Sequence, residues 1–107
     1  MADTPKTGGE VLDRPKPKSK PKTQRPDLFK VVLLNDDYTT MEFVVHVLQS
    51  VFSKPAPEAY RIMMQVHIEG RGVCGTYTFE IAETKVATVH ALAEDHGFPL
   101  RATIEDA

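Results

Sequence analysis

The sequence predicts an α+β domain of order β-α-α-β-α-β, with three helices packed on one face of a three-stranded antiparallel sheet. Three observations lead to it. Segments 28–34, 73–81 and 99–105 carry β-formers or alternate apolar with polar residues, as strands do. Three stretches between them, beginning near 41, 57 and 83, repeat apolar residues at helical spacing. With so few strands, a single layer of helices on one sheet face is the economical packing.

Each element has its own signals. Leu28 to Leu34 is short and rich in β-formers, and the turn-type cluster Asn35-Asp36-Asp37 ends it. Thr39 or Thr40 can cap the helix that follows, and Glu42 stands three residues after Thr39, as a capping box requires. Met41, Val44, Val45, Leu48 and Phe52 form its stripe, and Ser53 to Pro57 breaks it. Pro57-Glu58 opens a second helix with Tyr60, Met63 and Val66 or His67 on one face, stopped by Gly70 and Gly72. Val73 to Ile81 alternates as a strand. The third helix runs from about Glu83 to His96 on Val86, Val89, Leu92 and Ala93, and Gly97 stops it. Leu100, Ala102 and Ile104 alternate with Arg101, Thr103 and Glu105 in the last strand.

Composition bounds the class. A chain of 107 residues supports one domain at most. Residues 1–26 hold five of the eight prolines and seven Lys/Arg against three Asp/Glu, a net +4. Residues 27–107 carry six against twelve, a net −6. The run PKPKSKPK cannot bury enough surface to offset its ordering entropy, so residues 1–26 read as a flexible extension and residues 27–107 as the folded domain. A basic tail can meet nucleic acid or an acidic lipid surface, but a solvated leader is the preferred reading. An acidic body is a poor surface for nucleic acid. No apolar run approaches the ~20 residues of a membrane span, and a secretory signal is not expected, because no apolar stretch follows the first charges. Cys74 is the only cysteine and forms no internal disulfide, which suits a reducing cytoplasm. Nothing suggests obligate assembly, so a monomer is expected.

The candidate chemistry is that of binding. Asn35-Asp36-Asp37 reads most simply as a turn. It follows an apolar strand, however, and precedes Met41 and Val44, so its polar acceptors would stand at the rim of an apolar lining. His67 lies one helical turn after Met63 and shares its face. With Val66 it could supply one polar group at the edge of an apolar pocket, the usual form of a ligand site. His46, His67, His90 and His96 fall in no metal-ligand spacing with Cys74, and no Gly-rich phosphate loop is present, so no metal or cofactor is expected. Cys74 reads as a buried, inert thiol.

The strings LLNDDYTTMEFVVHVL (33–48), MMQVH (63–67), GVCGTYTFEIAETKVA (72–87) and Pro99-Leu100 resemble the ClpS family, in that family's order and spacing. The resemblance covers about Asp27 to Ala107. It implies a fold like that of the ribosomal L7/L12 carboxy-terminal domain. It also implies a non-enzymatic adaptor that recognises N-degrons, meaning Leu, Phe, Tyr or Trp at a free amino terminus, and delivers them to the ClpA unfoldase of the ClpAP protease. Asn35, Asp37 and His67, with Asp36 beside them, would surround the α-ammonium group and first peptide unit. Such a cation presents donors only and needs acceptors. Leu33, Thr39, Met41, Val44, Met63, Val66 and Leu100 would line the pocket for the first side chain, with Met41 as gatekeeper. Glu80 and Lys85 would face the amino-terminal domain of the unfoldase, with a solvated strand edge and helix face as the plainer alternative for these two.

Two positions depart from the family pattern. Thr40 stands where Pro is common, and losing that fixed φ predicts a looser loop. Phe98 stands where His is frequent; both departures bear on which first residues fit. Two rival readings remain: a ribosome-associated or structural interaction domain, and a small hydrolase using Cys74 or His67.

Overall fold

The computed structural model describes residues 27–107. The expected flexible extension, residues 1–26, lies outside them. The elements run β1 (Leu28–Leu34), α1 (Met41–Ser50), α2 (Ala56–Glu69), β2 (Arg71–Thr78), α3 (Phe79–Asp95) and β3 (Arg101–Asp106). This is the expected order, and the three strands form one antiparallel sheet in the order β2-β1-β3.

The most apolar strand lies at the centre of the sheet, where both edges are paired. Val31, Val32 and Leu33 of β1 are fully buried. Val31 and Leu33 join the main core with Val44, Val47 and Leu48 of α1, Ile62, Met63 and Val66 of α2, and Val89 and Ala93 of α3. Val32 points to the other face, where it is paired with Val73 and Thr103. On that face an ion pair from Arg71 on β2 to Glu105 on β3 reaches across β1. The alkyl stem of such a side chain can shield an apolar neighbour.

The register slips between Val31 and Val32, which face Gly75 and Val73, so Cys74 is the extra residue of a β-bulge. Close approach of α2 to β2 is possible because residue 72 has no side chain. A Cβ there would lie 2.8 Å from Val66 Cγ2 and 3.4 Å from Ile62 Cγ2.

Helix ends follow their local chemistry. Thr40, not Thr39, is the N-cap of α1, and its hydroxyl accepts from the Phe43 N–H at 3.1 Å. The expected capping box of Thr39 with Glu42 is therefore not formed. Beyond the end of α1, Lys54 N–H donates to the Leu48 carbonyl while Ser53 takes a left-handed φ of 56°. Gly70 ends α2 at φ 89°, where its N–H donates to the Val66 carbonyl. Glycine is the residue suited to that conformation.

Some boundaries and one helix face differ from expectation. The second strand stops at Thr78, and Phe79, Glu80 and Ile81 belong to α3. The alternation misleads here because β1 begins at Leu28, opposite Thr78, so no strand remains to pair with. Phe79 instead meets Phe29 edge-on, with ring centroids 5.2 Å apart. On α2, Tyr60 is 59% exposed, and the buried stripe is Ala59, Ile62, Met63 and Val66. The last strand starts at Arg101 rather than Pro99.

Replacing Gly72 by Ala inserts a methyl into the α2–β2 contact. Overpacking of this kind costs about 1–3 kcal/mol. A lower urea midpoint for Gly72→Ala is the expected result, and an unchanged midpoint would show that Val66 yields freely.

Candidate functional site

The site grows out of the turn between β1 and α1. Asn35 N–H donates to the Gly70 carbonyl at 2.9 Å, which ties the exit of the central strand to the C-cap of α2. Asp36 then turns its carboxylate forward along the chain. Its Oδ1 accepts from Tyr38 N–H at 2.8 Å and Thr39 N–H at 2.7 Å, and its Oδ2 accepts the Thr39 hydroxyl at 2.7 Å. This is an Asx-type turn reinforced by a hydroxyl. Burial by itself would raise the Asp36 pKa, but the bonds from Thr39 and Tyr38 outweigh it and hold the group below 3.8. The stability this carboxylate contributes is therefore present above its ordinary value and lost as pH falls through the lower, folded value.

Between this turn and α2 lies a recess of about 260 Å³, lined by Asn35, Asp36, Asp37, Thr39, Met41, Val44, Met63, Val66 and His67. That volume is below the ~300–1,000 Å³ of sites for drug-sized ligands. Val44, Met63 and Val66 are almost wholly buried, whereas Met41 is 43% exposed at the mouth. Carboxylate, amide and imidazole groups share the lining with these apolar side chains. The arrangement can accept hydrogen bonds from a small cation while enclosing an apolar group attached to it. Asp37 makes no hydrogen bond or ion pair among the described residues.

Nine of the eleven residues expected around a ligand thus line one recess. The other two do not. Leu33 is fully buried in the core, and Leu100 is buried and borders a separate, shallower hollow with His90, Glu94, Phe98 and Arg101. Leu33 is the next-to-last residue of the central strand, and Leu100 precedes β3 at the opposite sheet edge from β2. In that second hollow the His90 Nε2 accepts from Ala102 N–H at 3.0 Å. Burial and the nearby Arg101 charge lower its pKa, and accepting at Nε2 requires that nitrogen to be unprotonated, which places the ring proton on Nδ1. Phe98, at the second departure from the family pattern, packs against Phe43 with the rings tilted 47° and their centroids 4.9 Å apart.

Glu80 and Lys85 share a third hollow with Ser50, Val51, Ile81, Thr84 and Thr88. Ile81 is 48% exposed there. Glu80 sits in the first turn of α3, not on a strand edge. Lys85 is turned inward: its Nζ donates to the Val51 carbonyl at 2.7 Å and lies 5.7 Å from the Tyr77 ring centroid. A cation on the last carbonyls of α1 also suits the helix dipole. No sequence signal announced this contact, which spans 34 residues.

Cys74 is buried, and burial pushes its thiol up to about 12, so it stays protonated at neutral pH. A nucleophilic role would need the thiolate. Among the described residues no cluster of three or more His, Cys, Asp or Glu is placed to hold a metal. No helix among them is long and apolar enough to cross a membrane.

With this geometry in view, the chain compares with known proteins as follows. The family model for the ATP-dependent Clp protease adaptor protein ClpS matches residues 24–103. The chain belongs to the ClpS family. The ATP-dependent Clp protease adapter protein ClpS of Desulfatibacillum aliphaticivorans is 59% identical over 91% of this chain and 89% of that protein. The one from Rhodospirillum centenum is 53% identical over 98% of each. Among solved structures, Agrobacterium tumefaciens ClpS2 bound to L-phenylalaninamide superposes with a TM-score of 0.75 at 44% identity, covering 78% of this chain and all of that one. The antiparallel three-stranded sheet with its layer of helices is thus a ClpS fold.

Because Lys85 satisfies the Val51 carbonyl, its loss leaves a part-buried acceptor unpaired, at a cost of about 1–3 kcal/mol. Lys85→Ala is expected to lower the thermal midpoint, and Glu80→Ala to leave it unchanged. Equal midpoints for the two variants would show that the Lys85 contact contributes nothing.

Proposed function

We propose that this ClpS-family chain is a non-enzymatic adaptor that binds proteins by a free amino-terminal Leu, Phe, Tyr or Trp and delivers them to the ClpA unfoldase of the ClpAP protease in the cytoplasm. The observation that carries the reading is the recess itself, where acceptors from Asn35, Asp37 and His67 stand over an apolar lining of Met41, Val44, Met63 and Val66. A free α-amino group has a pKa of about 8 and is mostly a cation at neutral pH. It would find a carboxylate, an amide oxygen and an imidazole at the lip. Burying a Leu or Phe side chain beneath it is worth roughly 1.5–3 kcal/mol. An acetylated or internal residue would leave those acceptors unpaired, and this mismatch supplies the discrimination. The phenylalaninamide on Agrobacterium ClpS2, which has a free amine and an apolar side chain, supports the assignment by its chemistry.

The interaction-domain reading requires no such recess, since topology alone does not specify a site. For the hydrolase reading, the buried Cys74 thiol, pushed up to about 12, is a poor nucleophile, which leaves His67 as that reading's remaining candidate. For docking on the unfoldase we assign the hollow that Glu80 and Lys85 border, where a carboxylate stands beside the exposed Ile81. The adaptor would act as a monomer.

Two experiments test this. In calorimetric titrations with peptides beginning in Leu or Phe, the free peptides bind and their acetylated forms do not. Asp37→Asn or His67→Ala weakens the free peptides by at least about tenfold, the loss of one charge-assisted hydrogen bond. Equal binding of free and acetylated peptides would rule the mechanism out. Separately, Glu80→Arg is expected to prevent co-elution with the amino-terminal domain of ClpA while leaving peptide affinity intact. Retained co-elution would move the docking surface elsewhere.

A further inference from the structure

One edge of the sheet is held by a histidine. Among the described residues β3 pairs with β1 alone, in the order β2-β1-β3. Along an antiparallel strand, N–H groups alternate between those aimed at the partner and those aimed away. Ala107 N–H donates to the Leu28 carbonyl of β1, so odd-numbered residues face the partner here. Ala102, Ile104 and Asp106 therefore aim their N–H groups away from β1. The first of these is taken up by α3: Ala102 N–H donates to His90 Nε2 at 3.0 Å. An outward donor on an edge strand is where a foreign backbone can pair, and here a side chain occupies it.

The same bond closes the connection from α3 to β3. At the start of that turn, Phe98 N–H donates to the Ala93 carbonyl at 2.9 Å, with Gly97 at φ 77° between them. At its end stands the His90 bond. Between the two anchors lie Pro99, which has no N–H to give, and Leu100, which is buried. The turn is thus pinned to α3 at both ends, and of the two pins only the second is titratable.

We propose that His90 is a pH-sensitive latch on this edge: its neutral ring holds the first outward N–H of β3 against α3, and protonation of Nε2 releases that N–H and loosens the turn before it. A protonated Nε2 has no lone pair left to accept with. Among the described residues, the charged groups that border the hollow with His90 are Arg101 on β3 and Glu94, one turn on along α3. Gly97 to Leu100 carry no ionisable side chain, nor do Val86 and Ala87 one turn earlier on α3. Phe29, Val31 and Leu33 of β1, on the face toward the helices, are apolar. His46 and His96 lie against Phe43 rather than in the hollow. Burial and the Arg101 charge hold the ring pKa below 6.5. Because the folded value is the lower one, the stability this bond contributes is present above the ordinary value and lost as pH falls through the folded one.

NMR on the full chain reads both partners of the bond. Ring nitrogen shifts of His90 report its tautomer and charge. Amide exchange, corrected for its intrinsic pH dependence, reports Ala102, with Thr103, whose N–H faces β1, as the internal reference. The neutral ring is expected to carry its proton on Nδ1. Protection at Ala102 is expected to fall roughly two- to tenfold as the ring titrates, the worth of one hydrogen bond, with Thr103 unchanged. His90→Gln places a non-titrating acceptor oxygen at similar reach, so Ala102 stays protected across the same pH range. His90→Phe keeps a ring without an acceptor, so Ala102 has the lower protection at every pH. If His90→Phe does not fold, the unmodified chain against His90→Gln decides alone.

Protection at Ala102 that stays constant while the ring titrates would overturn the latch. So would an equal pH-dependent loss in His90→Gln, which would assign the effect to another group. A neutral ring with its proton on Nε2, or full protection of Ala102 in His90→Phe, would overturn it as well.

Discussion

The recess depends on one backbone bond, from Asn35 N–H to the Gly70 carbonyl. Its two walls come from distant parts of the chain: the turn after β1 and the C-terminal half of α2. Packing alone would bring them near each other, because the central strand and α2 share the core. Setting them at a fixed separation needs a directional contact, and this bond provides it. It works because Gly70 adopts a left-handed conformation that turns the chain out of α2 and directly into β2. His67 stands three residues before that cap, so the bond that anchors Asn35 also sets the height of His67 opposite the turn.

A second consequence of this geometry concerns the residue expected to loosen the loop. Replacing proline by Thr40 gives up a fixed φ, but it gains a hydroxyl that caps α1. A good N-cap is worth about 0.5–2 kcal/mol over an apolar residue. The Asp36 bonds order the two residues just before it. The loop is therefore held by side-chain acceptors rather than by a pyrrolidine ring, and the expected looseness has no counterpart in its hydrogen bonding.

Much of this was legible in the sequence, and the failures share a cause. Periodicity located five of the six elements because each buries one face and burial imposes the period, whereas β1, buried on both faces, was legible from its run of β-formers. The motif around Asn35 to Met41 and the pair Met63 and His67 each read as polar groups beside an apolar stripe, and the family resemblance joined them into one site. What local pattern could not supply was partnership at long range. The residues from Phe79 to Ile81 alternate like a strand, yet the strand that would pair with them begins too late. Tyr60 falls on the predicted stripe of α2, yet the helix is rotated so that Ala59 and Ile62 face inward. Lys85 reads as a surface charge, yet it reaches the end of a helix 34 residues earlier. Leu33 and Leu100 read as pocket lining but are not among the residues that border the recess. In each case the deciding neighbour is remote in sequence.

The apolar part of the recess and the hydrophobic core are the same material. Val44, Met63 and Val66 each belong to the main core cluster and each also form the recess lining. A change that widens the recess at any of them removes core contacts at the same time, and deleting buried methylenes costs roughly 2–5 kcal/mol for a Met-to-Ala change. Met41 is different. It is nearly half exposed, lies outside the core cluster and stands at the mouth on the first turn of α1. A flexible thioether there can adjust to what enters without disturbing the packing beneath. The fold therefore separates what must stay fixed from what can vary. On the adaptor function proposed above, selectivity for an entering side chain would drift at residue 41 with little loss of stability, whereas the depth of the hollow is tied to the integrity of the domain.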